Sequence, residues 1–197
     1  MFLPRKMRGR CKIPIDKVCV NRAKGVDVNM ILGIDPGFSG AIAIYDPQTN
    51  DVIHVMTIPT LMIERNKKIK RTLDFHRLFR SIAEYAQNTQ GLRAVIEQVG
   101  AMPGQGVSSM FAFGAVAGAI EMAVVAAGIP YTKVPPVTWK KALGCTADKD
   151  GALLRANQLM PLAVQHWTPI RGERDKQDCI GIAEASLLAY YGAKNLT

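Results

Sequence analysis

The sequence has little of what builds zinc sites or disulfide scaffolds. Its four cysteines, Cys11, Cys19, Cys145 and Cys179, show no C-x-x-C spacing, and its three histidines, His54, His76 and His166, stand apart from them, which argues against a zinc centre. No secretory signal pattern opens the chain, and Cys179 lies in an apolar helical stretch, so reduced thiols and an intracellular setting are expected. Long apolar runs are scarce. The single stretch that imitates a membrane span, Met110 to Ile129, is interrupted by Glu121 and carries Gly114, Gly118 and several alanines, a composition suited to packing inside a protein, so no membrane partner is expected. There is no internal repeat. Acidic residues are few against basic ones, 16 against 25, leaving a net charge of +9 and a pI near 9.6, which favours a polyanionic partner such as nucleic acid or an anionic membrane surface, charge alone not choosing between them. At 197 residues and 48% hydrophobic content the chain can bury a core without a staple, so any metal would serve chemistry.

The charge is unevenly spread. Residues 1 to 28 hold eight Lys and Arg against two Asp, +6 of the +9, so the rest of the chain carries +3. This stretch lacks helical or strand periodicity and forms a basic extension, residues 1–29, ahead of a folded domain at 30–197. Three readings fit it: a flexible nucleic-acid-binding arm, an extension upstream of a true start at Met30, or an organellar targeting segment.

From Met30 the pattern becomes regular. Met30 to Ile34, Ala41 to Tyr45 and Val52 to Ile58 are short apolar, β-branched runs that predict an antiparallel meander. Phe75, Leu78, Phe79, Ile82 and Ala83 share a helical stripe, predicting a helix over Asp74 to Asn88 capped by Thr72 or Asp74. Arg93 to Glu97 reads as a buried strand, Gly100 to Val107 as a glycine-rich loop, and Ser108 to Ala127 as a long, buried helix ended by Gly128. A fifth strand, Tyr131 to Val134, precedes a helical turn opened by Pro135-Pro136, and helices follow at about Asp148 to Met160 and Asp175 to Tyr191. Three meander strands followed by alternating helix and strand predict an α/β domain with a mixed five-stranded sheet flanked by helices.

Four acids stand out. Asp35 ends the first strand in Gly33-Ile34-Asp35-Pro36-Gly37, where strand propensity and the ladder both disfavour it. Glu97 ends the fourth strand, which the crossover rule sets parallel to the first. Asp175 and Asp178, three residues apart at the start of the last helix, share a face. If that face covers the strand ends, four carboxylates converge. Their mutual repulsion would be relieved by hard divalent cations, Mg²⁺ with Mn²⁺ as a substitute, and two such ions suit phosphodiester displacement. The plainer readings are a turn former at Asp35, a solvent-facing strand end at Glu97, and an N-cap with a first-turn partner at Asp175 and Asp178. Lys133, Lys140, Lys141, Arg171, Arg174 and Lys176 are candidate phosphate contacts or simply solvated faces.

The segments I-L-G-I-D-P-G (Ile31 to Gly37), V-I-E-Q-V (Val95 to Val99), G-A-V-A-G-A-I (Gly114 to Ile120), V-P-P-V-T-W-K-K (Val134 to Lys141) and D-K-Q-D-C-I-G-I-A (Asp175 to Ala183), in this order and spacing, resemble the RuvC-type Holliday junction resolvases. The resemblance covers residues 30 to about 192, and the divergence suits a phage-type member. It implies a ribonuclease-H-like fold and a crossover junction endodeoxyribonuclease: a homodimer that cuts branched DNA, four-way junctions foremost, in the cytoplasm of a bacterial or phage-infected cell. By the same resemblance Asp35, Glu97, Asp175 and Asp178 are catalytic metal ligands. Asp35 would bridge two Mg²⁺ ions, and Lys140 and Lys141 would meet DNA; Arg171, Arg174 and Lys176 join them as DNA-binding candidates on charge alone. One departure concerns the aromatic residue that helps open the junction in similar bacterial chains, since that position is Gly100 here. Two other classes compete: a non-catalytic branched-DNA-binding module, and an actin-like or sugar-kinase-like ATP-binding domain, which would need a second lobe.

Overall fold

Period-two alternation organises the centre of the molecule. In strand β1 (Ile31–Asp35), Leu32 and Ile34 join one buried apolar cluster, while Ile31 joins a second on the opposite face of the sheet. Strand β6 (Arg93–Glu97) repeats the pattern, with Ala94 and Ile96 on the first side and Val95 on the second. The computed structural model describes residues 29–196, apart from 66, 101–103, 105, 147, 149 and 171–173. The basic extension at 1–28 lies outside the described residues.

β1 pairs antiparallel with β2 (Ala41–Asp46), and β2 with β3 (Asp51–Thr57). β1 also pairs in parallel with β6, which pairs in parallel with β7 (Tyr131–Val134), giving the sheet order β3-β2-β1-β6-β7. The meander, the parallel neighbour and the five-stranded mixed sheet all match the reading of the sequence. One face is covered by α1 (Phe75–Asn88) and α2 (Val107–Ala126), and the other by the last helix, α5 (Lys176–Asn195). Between β7 and α5 come α3 (Pro136–Leu143), α4 (Gly151–Leu159) and a 3-10 turn over Pro161–Trp167.

One element is new and two expectations are corrected. Residues 60 to 73 form an antiparallel hairpin separate from the main sheet, β4 (Thr60–Arg65) with β5 (Lys68–Leu73); its strands carry charge on both faces and so lack the clean alternation that marks a half-buried strand. The buried stripe of α1 is Leu78, Ser81, Ile82 and Tyr85, with Phe75 and Phe79 exposed, because the stripe is set one step later than aromatic spacing suggested. Asp74 does cap this helix, accepting from Arg77 N–H at 3.0 Å. Finally, α2 is not a buried helix. Only Val116, Ile120, Ala123 and Val124 are buried, and Gly114 and Gly118 are exposed. Among the described residues it is the one helix long and apolar enough to cross a membrane, yet Tyr131 and Lys133 bind Glu121 at its middle.

The covering of the second face depends on small residues. A Cβ at Gly33 would lie 2.0 Å from the carbonyl oxygen of Ala185, and one at Gly181 would lie 2.3 Å from that of Ser39. Backbone of α5 therefore rests directly on β1 and on the loop that follows it. Gly33→Ala should lower stability by 2 kcal/mol or more, because the obstruction is backbone that cannot rotate away. A denaturant midpoint unchanged from wild type would contradict this crossing.

Candidate active site

Asp35 and Glu97 arrive side by side by register alone. Ile34 pairs with Ile96 across the parallel β1–β6 ladder, so the next residues, Asp35 and Glu97, are neighbours at the carboxyl ends of the two central strands. Alternation aims both toward the α5 side, as continuations of Ile31, Gly33 and Val95. The loop after β1 then turns back so closely that a Cβ at Gly40 would sit 2.0 Å from the Asp35 carbonyl oxygen and 3.3 Å from its Oδ2.

Electrostatics mark the pair as unusual. Burial, followed by repulsion from Glu184 and Glu97, pushes the Asp35 carboxyl well above the ordinary aspartate range, against a smaller opposing pull from Lys140. The Glu97 carboxyl is also raised, chiefly by burial and further by Glu184, while a hydrogen bond from Trp139 and the charge of Lys140 oppose the rise. Among the described residues no hydrogen-bond donor or cation is paired directly with the Asp35 carboxylate.

The partners come from α3 and α5. β7 ends at Val134, opposite Glu97 in the ladder, and Pro136 starts α3 at once. This short connection delivers Trp139 and Lys140 to the strand ends. Trp139 is fully buried, and its Nε1–H donates to Glu97 Oε1 at 3.0 Å. Lys140 Nζ donates to Glu184 Oε1 at 2.6 Å and lies 5.1 Å from the Trp139 ring centroid. Burial alone would lower the Lys140 pKa; its bond and attraction to Glu184, with Glu97 and Asp35, outweigh that and raise it. Neither Glu184 nor the role of Trp139 was anticipated. Glu184 had a visible signal, since it is a lone carboxylate in the otherwise apolar Gly181-Ile182-Ala183-Glu184-Ala185.

The other candidates occupy different places. Asp175 is the exposed N-cap of α5, its Oδ1 accepting from Asp178 N–H at 2.9 Å. Asp178 is half-buried in the first turn, three residues before Gly181. Neither is among the charges that shift Asp35 or Glu97. Helix geometry explains the offset: with Gly181 over Ser39 and Gly40, Asp178 stands a turn further out and Glu184 falls nearer the strand ends. Among the described residues no three Asp, Glu, His or Cys side chains reach metal-ligand spacing.

Of the candidate DNA contacts, Lys141 is exposed near the end of α3. Lys176 forms an ion pair with Asp150 at 2.8 Å, and Arg174 donates to the backbone oxygens of Gln165 and His166, tying the 3-10 turn to the start of α5. Lys133 is paired with Glu121 at 2.9 Å. Arg171 lies outside the described residues.

No family model and no curated protein matches this sequence. Among solved structures, T. thermophilus RuvC in complex with a Holliday junction substrate is similar at 14% identity, with a TM-score of 0.52 over 84% of this chain and 94% of that one. Another Thermus thermophilus RuvC structure is similar at 15% identity and a TM-score of 0.47, covering 84% of this chain and 95% of that one. The chain thus has the ribonuclease-H-like fold, a mixed five-stranded sheet flanked by helices, with the half-buried Asp35 and Glu97 at the carboxyl ends of two central strands.

Proposed function

We propose that this protein is a Mg²⁺-dependent endonuclease that hydrolyses phosphodiesters in branched DNA, four-way junctions foremost, and acts as a homodimer. The observation that carries this reading is the juxtaposition of Asp35 and Glu97, two half-buried carboxylates at the ends of neighbouring strands, each with its pKa pushed up chiefly by desolvation. Such a pair is explained by a cation that neutralises it. The donors are carboxylate oxygens, which fit a hard ion, Mg²⁺ or Mn²⁺. Lys140, salt-bridged to Glu184, is the nearby cation that opposes the rise in both carboxyls. Bound there, the ions would supply a nucleophile at neutral pH and charge stabilisation for an in-line displacement.

The chain's own residues then divide the work. Asp35 and Glu97 would hold the metal, and the Trp139 N–H fixes one oxygen of Glu97 so that the other has a single orientation. Lys140 and Lys141, projecting from the helix that follows β7, would meet the phosphate backbone, Lys140 once Glu184 is neutralised in another way. Asp178 and Asp175 complete the proposed ligand set from the start of α5. Branched DNA as substrate is supported by the shared fold with a RuvC whose complex holds a Holliday junction, by the net charge of +9, and by the adjoining dimer argument.

That argument rests on α2. Val107, Phe111, Gly114, Ala115, Gly118, Met122 and Val125 are exposed along one stripe, with Phe111 80% exposed. A Cβ at Gly114 or Gly118 would meet nothing within 4 Å, so no neighbour among the described residues requires these glycines. A second copy packed on the same stripe would use their close approach, and a two-fold dimer would match the symmetry of a four-way junction.

Two outcomes test the reading. Asp35→Asn should abolish cleavage while sparing junction binding, and it should also change stability in a defined direction. The folded protein holds the Asp35 proton to higher pH than the unfolded chain does, so metal-free stability falls as pH rises from about 4 through the raised value. At pH 8 in chelator the variant should therefore melt higher than wild type, by about 2–4 °C for each kcal/mol of relieved repulsion, and Mg²⁺ should raise the wild-type melting temperature but not the variant's. Retained cleavage, or equal Mg²⁺ shifts, would contradict the site. For the dimer, Phe111→Glu should sediment as a folded monomer; an unchanged dimer would place the interface elsewhere.

A further inference from the structure

The β4–β5 hairpin and the start of α1 form a strongly basic, partly aromatic surface that the proposed active site does not use. Between Thr60 and Leu73 the sequence has five cations, Arg65, Lys67, Lys68, Lys70 and Arg71, against the single carboxylate of Glu64. That balance of +4 exceeds the +3 carried by all residues after the basic extension, so the rest of the folded domain is close to neutral. Charge this concentrated is a feature of one element.

Three of its cations are described and turned outward. Lys67, Lys70 and Arg71 are exposed, and none of them is in a salt bridge among the described residues. α1 begins with only Asp74 intervening, and its first turns add exposed Arg77 and Arg80 together with Phe75 and Phe79. The two phenylalanines, four residues apart, share one helix face. Cations interleaved with exposed aromatic rings provide both phosphate contacts and platforms for unpaired bases.

The surface also adjoins the catalytic loop. Ile58 N–H donates to Gly40 O at 3.0 Å, and Asp74 N–H to Pro59 O at 2.9 Å, so both roots of the hairpin are tied to the end of the sheet where Asp35 lies. Arg71 sits 6.0 Å from the ring centroid of Phe38, three residues beyond Asp35, and donates to Thr60 Oγ1 at 3.0 Å. A two-stranded hairpin is marginal by itself in water, and these ties hold it beside the cleft.

We infer that the β4–β5 hairpin and the adjoining first turns of α1 are a second DNA-contacting surface, which grips the phosphate backbone of a strand running past the active site. This rests on the reading of the protein as a nuclease of branched DNA. The charge favours DNA over a protein partner, since an apolar protein contact would gain nothing from five cations and one acid.

The test is binding of a fluorescent four-way junction in chelator, from about 50 to 200 mM salt, by wild type, by the double variant Lys67→Gln/Lys70→Gln, and by Lys194→Gln. Lys194 is an exposed lysine near the C-terminal end of α5, beyond Gly192, which packs over the start of β1 at Ile31. Loss of two phosphate contacts should make the slope of log K against log salt about 1.8 less negative, with the Lys194 variant unchanged. An unchanged slope in the double variant overturns the hairpin inference while leaving the nuclease reading intact, and so does an equal loss in the Lys194 variant. If wild type does not bind the junction at all, both fall. Because Lys67 and Lys70 are exposed, the double variant should melt within about 0.5 kcal/mol of wild type, so a changed slope reports DNA contact.

Discussion

Two half-buried carboxylates stand side by side at the strand ends, where desolvation and nearby negative charge both oppose their ionisation, and Trp139 and Lys140 work against that cost. Asp35 has no direct partner among the described residues, and Glu97 has one N–H from a buried tryptophan. The nearest cation, Lys140, is itself bound to a third carboxylate, Glu184. Burial above all, with repulsion from Glu184, makes both strand-end carboxyls hold their protons above the usual range, and the one ammonium does not offset it. A divalent ion would reverse the balance, turning an unfavourable cluster into a ligand set and releasing Lys140 for a phosphate.

Close packing makes the cluster possible. α5 lies directly on β1 because Gly33 and Gly181 remove the side chains that would hold it away. The same contact sets the helix register and so decides which of its carboxylates reaches the strand ends. This is Glu184, with Asp178 about a turn further out. Fold stability and site geometry therefore share one contact, and substitutions there would affect both.

Much of the fold was legible in the sequence. Strong period-two runs gave the meander and the parallel pair, and Asp35 and Glu97 were conspicuous because acids at the ends of buried strands break local propensity. Elements shaped by tertiary context were not legible. The hairpin carries charge on both faces of its strands, so no strand pattern marks it in the sequence. The apolar α2 suggested burial, yet one whole face is exposed, because a sequence does not say whether an apolar stripe meets its own chain or another. Glu184 was passed over because a lone acid in an apolar helix is recognised only once the strand beneath it is known. Asp175 follows the plainer of its two readings in this arrangement, as the cap of α5, and its proposed place in the ligand set remains separate from that role.

The central claim is that the strand-end carboxylates form a metal-dependent site for cutting branched DNA. Its most direct measurement is digestion of a four-way junction and of a linear duplex of matching sequence by the full-length protein, in Mg²⁺ and in chelator. The account predicts paired nicks close to the branch point, in Mg²⁺ only, with the linear duplex left intact. Equal cutting of the linear duplex would contradict the substrate, and no cutting of any DNA in Mg²⁺ or Mn²⁺ would contradict the site.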